Sequence, residues 1–304
     1  MPVDADLVPL LQILEGATPM HELQPAEARD GFRKLTIDFR PPVPLPEVAS
    51  VTDTTVAGGD GPRPARVYRP LAEGPLPTVV MFHGGGFVIG DLDTHDAMAR
   101  SISAGANAVV VSVDYRLAPE APFPAAALDA IAAVRDVQGR LGELGGNDVL
   151  AVAGDSAGGN LSAVAAQNVP GLAAQLLIYP ATDVLGDYAS RVDNAKGYFL
   201  EQDTMLWFIG HYAPEGTDLF DPRLSPMRGN LAGQPPAVVC TAEFDPLRDE
   251  GIAYADGLAA AGVAVEHTTY PGMIHGFFDM GPWAPACQQA IDETIARFGK
   301  LLNG

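Results

Sequence analysis

Cysteine is scarce. Only Cys240 and Cys287 occur in 304 residues, so at most one disulfide could form and a disulfide-stapled secreted scaffold is excluded. Cys240 ends an apolar, strand-like run, which suits an isolated buried thiol and a reducing, cytoplasmic setting. Lysine is almost missing as well: Lys34, Lys196 and Lys300 are the only ones, and arginine supplies the other cations. Against 18 Lys+Arg stand 38 Asp+Glu, a formal net charge of −20, and so acidic a chain offers no cationic surface to phosphates. Nucleic acid is not an expected partner. No stretch reaches the ~18 apolar residues of a membrane span. The longest candidate, 161–181, is broken by Gln167, Asn168, Pro170 and Gly171. Asp4 and Asp6 stand where a secretory leader would carry base, so no membrane or export role is expected.

What is present is a packed α/β pattern. Hydrophobic residues make up 47% of the chain, too many for a disordered polymer. Short β-branched runs at 78–82, 108–113, 149–153, 175–179 and 237–240 are predominantly apolar, as strands buried on both faces are. Helix-like stretches at 93–106, 122–141, 156–168 and 247–261 separate them. Segments 51–57 and 64–69 alternate instead and predict an antiparallel edge. A last strand near 263–270 and a helix from about 284 complete an eight-stranded, mostly parallel α/β sheet. Two regions break the alternation. Residues 1–45 begin with a stripe of Leu7, Leu10, Leu11 and Leu14 and turn proline-rich at Pro41, Pro42, Pro44 and Pro46. Residues 183–222 are far longer than an ordinary connection and carry the apolar piece Met205–Ile209, which suits a lid. The core is thereby expected in two parts, 46–182 and 223–304.

The strongest chemical signal is Gly154-Asp155-Ser156-Ala157-Gly158-Gly159, directly after a strand and directly before an Ala-rich helix. This is the G-x-S-x-G nucleophile elbow in its required context. The chain must reverse so sharply that Cβ atoms at Gly154 and Gly158 would collide, and Ser156 is left at the helix N-terminus. A second signal, His83-Gly84-Gly85-Gly86, ends an earlier strand. Successive glycines leave backbone N–H groups bare, and such donors stabilise the oxygen that turns negative in acyl transfer. A dinucleotide loop is ruled out because Ile89 stands where the third glycine of G-x-G-x-x-G belongs, and no Lys-Ser/Thr follows to make a P-loop.

A serine hydroxyl needs a base, and the base needs an acid to hold it. Among six histidines, His21, His95, His211 and His267 read most simply as surface or packing residues. His275 follows the last strand and is followed by Gly276, which puts it at the same sheet edge as Ser156. Asp245 lies just past strand 237–240, and the order Ser156, Asp245, His275 is that of an α/β-hydrolase. On position alone Glu243 and Asp249 are rivals for the acid. Asp155 reads as an organiser of its turn, and His83 as a brace for the glycine loop. No histidine–carboxylate set has metal-ligand spacing and HExxH is absent, so neither metal nor other cofactor is expected.

Taken together, His83–Gly86, Asp114–Glu120, the GDSAGG at 154–159, Asp245–Gly251 and His275–Phe277 resemble the bacterial hormone-sensitive-lipase-like carboxylesterases, the family IV esterases, in their GDSAGG subgroup. The resemblance covers nearly the whole chain, with no departure at a motif position. It implies an α/β-hydrolase fold with a helical cap drawn from 1–45 and 183–222. It selects Asp245 as the acid, and Gly85, Gly86 and Ala157 as backbone donors of the oxyanion hole, with His83 and Gly84 as loop support. It makes Tyr115–Glu120 scaffold and assigns Met205, Trp207 and Phe208 to cap packing before pocket lining. It also raises a homodimer. The expected activity is cofactor-free hydrolysis of small-molecule esters with short to medium acyl chains through an acyl-serine. An amidase, lactonase or deacetylase on the same triad is the alternative, and a non-catalytic small-molecule binder a more distant one.

Overall fold

In the computed structural model, which describes residues 2–304, eight strands form one sheet in the order β1-β2-β4-β3-β5-β6-β7-β8. The strands are β1 (Ser50–Gly58), β2 (Gly61–Arg69), β3 (Leu76–Phe82), β4 (Val109–Val113), β5 (Gly146–Asp155), β6 (Ala174–Ile178), β7 (Ala237–Phe244) and β8 (Val265–Ile274). The alternating segments behave as their pattern requires: β1 pairs antiparallel with β2, and β2 antiparallel with β4, while every other pairing is parallel.

The uniformly apolar strands are buried because helices cover both faces. Helices α1 (Val8–Glu15) and α2 (Pro25–Arg33) belong to the first 45 residues, and α2 runs on into a π-helical turn, Lys34–Asp38. The sheet is flanked by α3 (Asp96–Ala106), α4 (Ala125–Gly139), α5 (Ala157–Asn168), α8 (Arg248–Ala260) and α9 (Pro285–Asn303), with α6 (Ser190–Asp193) and α7 (Gln202–Tyr212) between β6 and β7. Successive residues of β3 go to opposite layers. Val79 and Met81 pack with Met98, Ile102, Ile291 and Phe298 of α3 and α9, whereas Val80 and Phe82 pack with Ile131, Val134, Leu161 and Val164 of α4 and α5. Each such side chain, fully buried, contributes about 1.5–3 kcal/mol, so the central strands anchor the molecule.

Several element ends differ from the sequence reading, among them two that deliver site residues. Strand β5 continues to Asp155, through the first glycine of the elbow, and β8 continues to Ile274 instead of ending near 270. The extension of β8 passes an irregularity in its pairing with β7 between Ala242 and Phe244, a feature that local periodicity does not reveal. Both extensions deliver residues to the carboxyl edge of the sheet, where α/β folds place ligands. Of the leucine stripe, Leu7 and Leu10 are buried in the core and Leu11 and Leu14 pack against it.

Candidate active site

Strand β5 and helix α5 meet at Ser156, whose φ of 54° and ψ of −115° are a conformation that side-chain-bearing residues rarely adopt. The surroundings hold it there. Ser156 N–H donates to Ile178 O at 2.8 Å, and a Cβ on Gly158 would sit 1.9 Å from Phe82 O. A Cβ on Gly154 would fall 2.3 Å from Gly158 O. The two glycines are therefore required by contact as well as by the turn.

His275 follows β8, and its ring connects two other side chains. Its Nδ1 lies 2.7 Å from Asp245 Oδ2 and its Nε2 3.0 Å from Ser156 Oγ. All three residues are buried, Asp245 completely. An ionised carboxylate only accepts hydrogen bonds, so the Nδ1 proton points to Asp245 and the Nε2 lone pair faces the hydroxyl. Asp245 is itself held: its Oδ1 accepts from Leu247 N–H at 2.8 Å. Its rivals point elsewhere. Glu243 Oε2 accepts from Gly272 N–H, and Asp249 Oδ2 accepts from Ser190 N–H.

The loop after β3 approaches from the other side. Gly85 and Gly86 have φ of 114° and 58°, in the region that favours glycine. Their N–H groups meet no protein acceptor among the described residues, and Ala157, first residue of α5, carries one of the N–H groups a helix leaves unpaired. The loop is braced from beneath. Gly84 N–H donates to Asp155 Oδ1 at 2.8 Å, His83 Nδ1 lies 2.8 Å from Gly84 O, and Tyr115 donates its hydroxyl to His83 O at 2.7 Å. Burial, reinforced by the nearby His95, lowers His83 to about 4, which keeps its ring neutral.

A cavity of about 1120 Å³ lies above these groups, and Ser156, His275, Gly85 and Gly86 are all on its wall. Its outer lining comes from the two regions that break the strand–helix alternation: Leu10, Leu14, Phe32 and Phe39 from the first, Phe199, Met205 and Phe208 from the second. Met205 and Phe208 thus line the cavity, the second of the two readings of this segment, while Trp207 and Phe208 also pack against the core. The Phe208 ring lies directly over Gly86, where a Cβ would come within 2.1 Å of it. Arg29 of α2 donates to Val88 O and Ala118 O, both at 2.8 Å, and pairs with Glu120, so the first 45 residues grip the glycine loop's far end.

The stretch after β6 is pinned to the acid's loop. Ser190 donates its hydroxyl to Pro246 O at 2.8 Å, and Asn194 donates to Asp245 O at 3.1 Å. Arg191 pairs at 2.5 Å with Glu250, a buried carboxylate that also accepts from Thr182 N–H. None of these partners is signalled locally in the sequence, because each contact spans more than fifty residues.

His95 requires a correction. Linear spacing shows no histidine–carboxylate set, yet folding brings one ligand atom each of His95, Asp155 and Asp279 within 4.8 Å of one another. This is the one cation-sized set among the described residues. Of the two readings, surface or packing, His95 takes the second: it is buried, with Nε2 3.6 Å from Asp155 Oδ1.

With this geometry in place, the chain was compared with known proteins. Residues 79–279 match the sequence model of a family described as the alpha/beta hydrolase fold. The carboxylesterase NlhH of Mycobacterium tuberculosis is 42% identical over 98% of this chain and 97% of its own length. An ethyl acetate hydrolase of Pseudomonas putida is 38% identical over 92% of this chain and 93% of its own. Among solved structures, an ester hydrolase from the Lake Arreo metagenome superimposes with a TM-score of 0.93 at 43% identity, covering 98% of each chain. A thermostable esterase of Pseudomonas putida reaches 0.94 at 36% identity, covering all of this chain and 98% of its own.

Proposed function

The chain belongs to the α/β-hydrolase family, as a hormone-sensitive-lipase-like carboxylesterase of family IV, and from that premise we propose which of its residues carry out ester hydrolysis and on what. The observation that carries the assignment is the unbroken chain from Ser156 Oγ through His275 to Asp245, with links of 3.0 and 2.7 Å. Ser156 Oγ attacks the ester carbonyl as its proton passes to His275 Nε2. Asp245 holds the Nδ1–H tautomer and stabilises the imidazolium that forms. Negative charge on the former carbonyl oxygen is received by the N–H groups of Gly85, Gly86 and Ala157. His275 then gives its proton to the leaving alcohol, and water, activated by the same base, frees the acyl group from Ser156. No metal or organic cofactor enters this sequence.

The first 45 residues and residues 183–222 act as a cap over the core segments 46–182 and 223–304. The substrate class is uncharged esters with short to medium acyl chains. Support comes from the apolar lining of Phe199, Met205, Phe208 and Leu14, and from a volume at the upper end of ordinary ligand pockets. The GDSAGG subgroup follows from 154–159. Two buried, unbridged thiols support a cytoplasmic setting. A homodimer through an edge strand of the core and its neighbouring helices is part of the same reading, and light scattering giving only monomer mass at high concentration would remove it.

The decisive assay is p-nitrophenyl butyrate turnover by Ser156→Ala and Asp245→Asn. The first is expected to be inactive and the second to lose roughly 10⁴ in kcat. Wild-type turnover by Ser156→Ala would end the assignment. A panel of esters, amides and lactones then sets the substrate range.

A further inference from the structure

Beneath the glycine loop a second histidine, unused in the steps above, is held in a state that only its neighbours define. Thr94 donates its hydroxyl to Asp91 O at 2.9 Å, which uses its single proton. Towards His95 Nδ1, 2.9 Å away, the same oxygen is therefore an acceptor, so Nδ1 carries a hydrogen. The other ring nitrogen faces Asp155 Oδ1 at 3.6 Å, with the Asp279 carboxylate inside the same 4.8 Å cluster. A lone pair on Nε2 would confront two acidic side chains, whereas a proton there makes the ring the cation between them.

We infer that His95 is an imidazolium that keeps Asp155 ionised beneath Gly84 and so positions the donors of the oxyanion loop. The inference rests on the proposed roles of Ser156, Gly85 and Gly86. Asp155 is buried, and an isolated buried carboxylate is costly unless a cation stands by. Its Oδ1 holds Gly84 N–H at 2.8 Å, one peptide before the first proposed donor. A charge-assisted bond of this kind is shorter and roughly twice as strong as a neutral one. His95 touches no substrate in this scheme; it is a positioning residue acting through Asp155 and Gly84.

Every charged group packed around the ring fits the arrangement. Asp155 approaches from the end of β5, Asp279 from the turn after β8 and Asp91 from the loop before α3, while neutral His83 lies across the ring at a centroid distance of 5.3 Å. Burial raises Asp279 to about 7 against the opposing charges of His95 and Arg40, which leaves Asp155 the stronger anionic partner. Burial alone would lower His95, but Asp155 first, then Asp279 and Asp91, outweigh it and raise the group to about 9. A raised histidine is fully charged below its ordinary range, and its contribution is lost as pH climbs through about 9. The pair is thus intact at neutral pH and fails on the alkaline side.

Nitrogen-15 NMR of the histidine side chains in the intact wild-type protein tests the charge state directly. Both His95 nitrogens are expected at imidazolium shifts at pH 7.5, and a neutral tautomer there would overturn the inference. His95→Gln tests the positioning role. Its kcat should fall by roughly tenfold to a hundredfold, less than the ~10²–10³ lost with an oxyanion donor, while KM stays within about twofold. Affinity for a phosphonate or boronic acid transition-state analogue should fall in parallel, and the alkaline limb near pH 9 should vanish from the variant. Asp155→Asn should give the same kcat loss, and the double variant no further loss. Unchanged kcat in a folded His95→Gln protein would refute positioning while leaving the nucleophile assignment intact. Turnover surviving in Ser156→Ala would instead remove the premise. If activity fell with a chelator, a metal rather than the ring would be the cation, and the inference would fail.

Discussion

Gly86→Ala probes the contact between Phe208 and the glycine loop proposed to hold the oxyanion. Gly86 has φ of 58°, where an L-residue pays about 1–2 kcal/mol, partly offset by about 0.4–1 kcal/mol from a stiffer unfolded chain. The larger problem is space. The new methyl would sit 2.1–2.4 Å from three carbons of the Phe208 ring, so the two must separate by more than 1 Å to reach van der Waals distance, roughly 3.5 Å. Overpacking of that kind costs about 1–3 kcal/mol. If the loop yields, the N–H groups of Gly85 and Gly86 leave their positions, and kcat should drop by about 10²-fold with a smaller change in KM. Phe208→Ala alone should mainly raise KM, since it removes apolar lining. Combining the two removes the collision and leaves only the backbone cost, so kcat of the double variant should return to within about tenfold of Phe208→Ala. The assay is a double-mutant cycle on p-nitrophenyl ester turnover, with a coupling of at least about 1 kcal/mol expected. A strictly additive cycle would show that the ring does not press on the loop, and the reasoning would be refuted.

Two further outcomes are expected. Burial pushes the thiols of Cys240 and Cys287 up to about 12, so native protein should resist iodoacetamide at neutral pH with full activity, and unfolded protein should take up two equivalents. Rapid native alkylation, read by mass spectrometry, would contradict this. Glu250→Ala removes a buried partner from Arg191 and Thr182 N–H, and urea unfolding should show a loss of about 3–5 kcal/mol; a loss below about 1 kcal/mol would mean that Arg191 is served by its backbone acceptors alone.

How far the sequence spoke depended on whether a feature was local. The buried strands were legible because a run such as Val109–Val113 is apolar on both faces, and the antiparallel edge because Val51–Ala57 alternates. The elbow was legible because two glycines and a serine must coincide with a strand end and a helix start. The end of β8 was not, because it continues past Pro271 and Gly272 through a pairing irregularity with β7. Met205 and Phe208 were left between packing and pocket lining, since an apolar helix face reads alike whether it meets a core or a cavity. His95 was missed for a different reason. Its partners lie 60 and 184 positions away in the chain, and no local pattern announces a charge that exists only when three loops converge.

The short helix Ser190–Asp193 has a consequence for how such an enzyme changes its diet. Its side chains and those beside it are committed to the acid's loop through Pro246, Asp245 and Glu250. Tyr198 stays with them, since its ring packs on Phe244 beside Asp245, whereas Met205 and Phe208 of α7 line the cavity. One stretch of chain therefore divides into a stem held against the acid's loop and a blade that lines the cavity, with the boundary between Phe199 and α7. Sequence drift in the blade alters what fits without disturbing the base and its acid, whereas drift in the stem reaches the proton path. Selectivity and chemistry are separable here within a span of twenty residues.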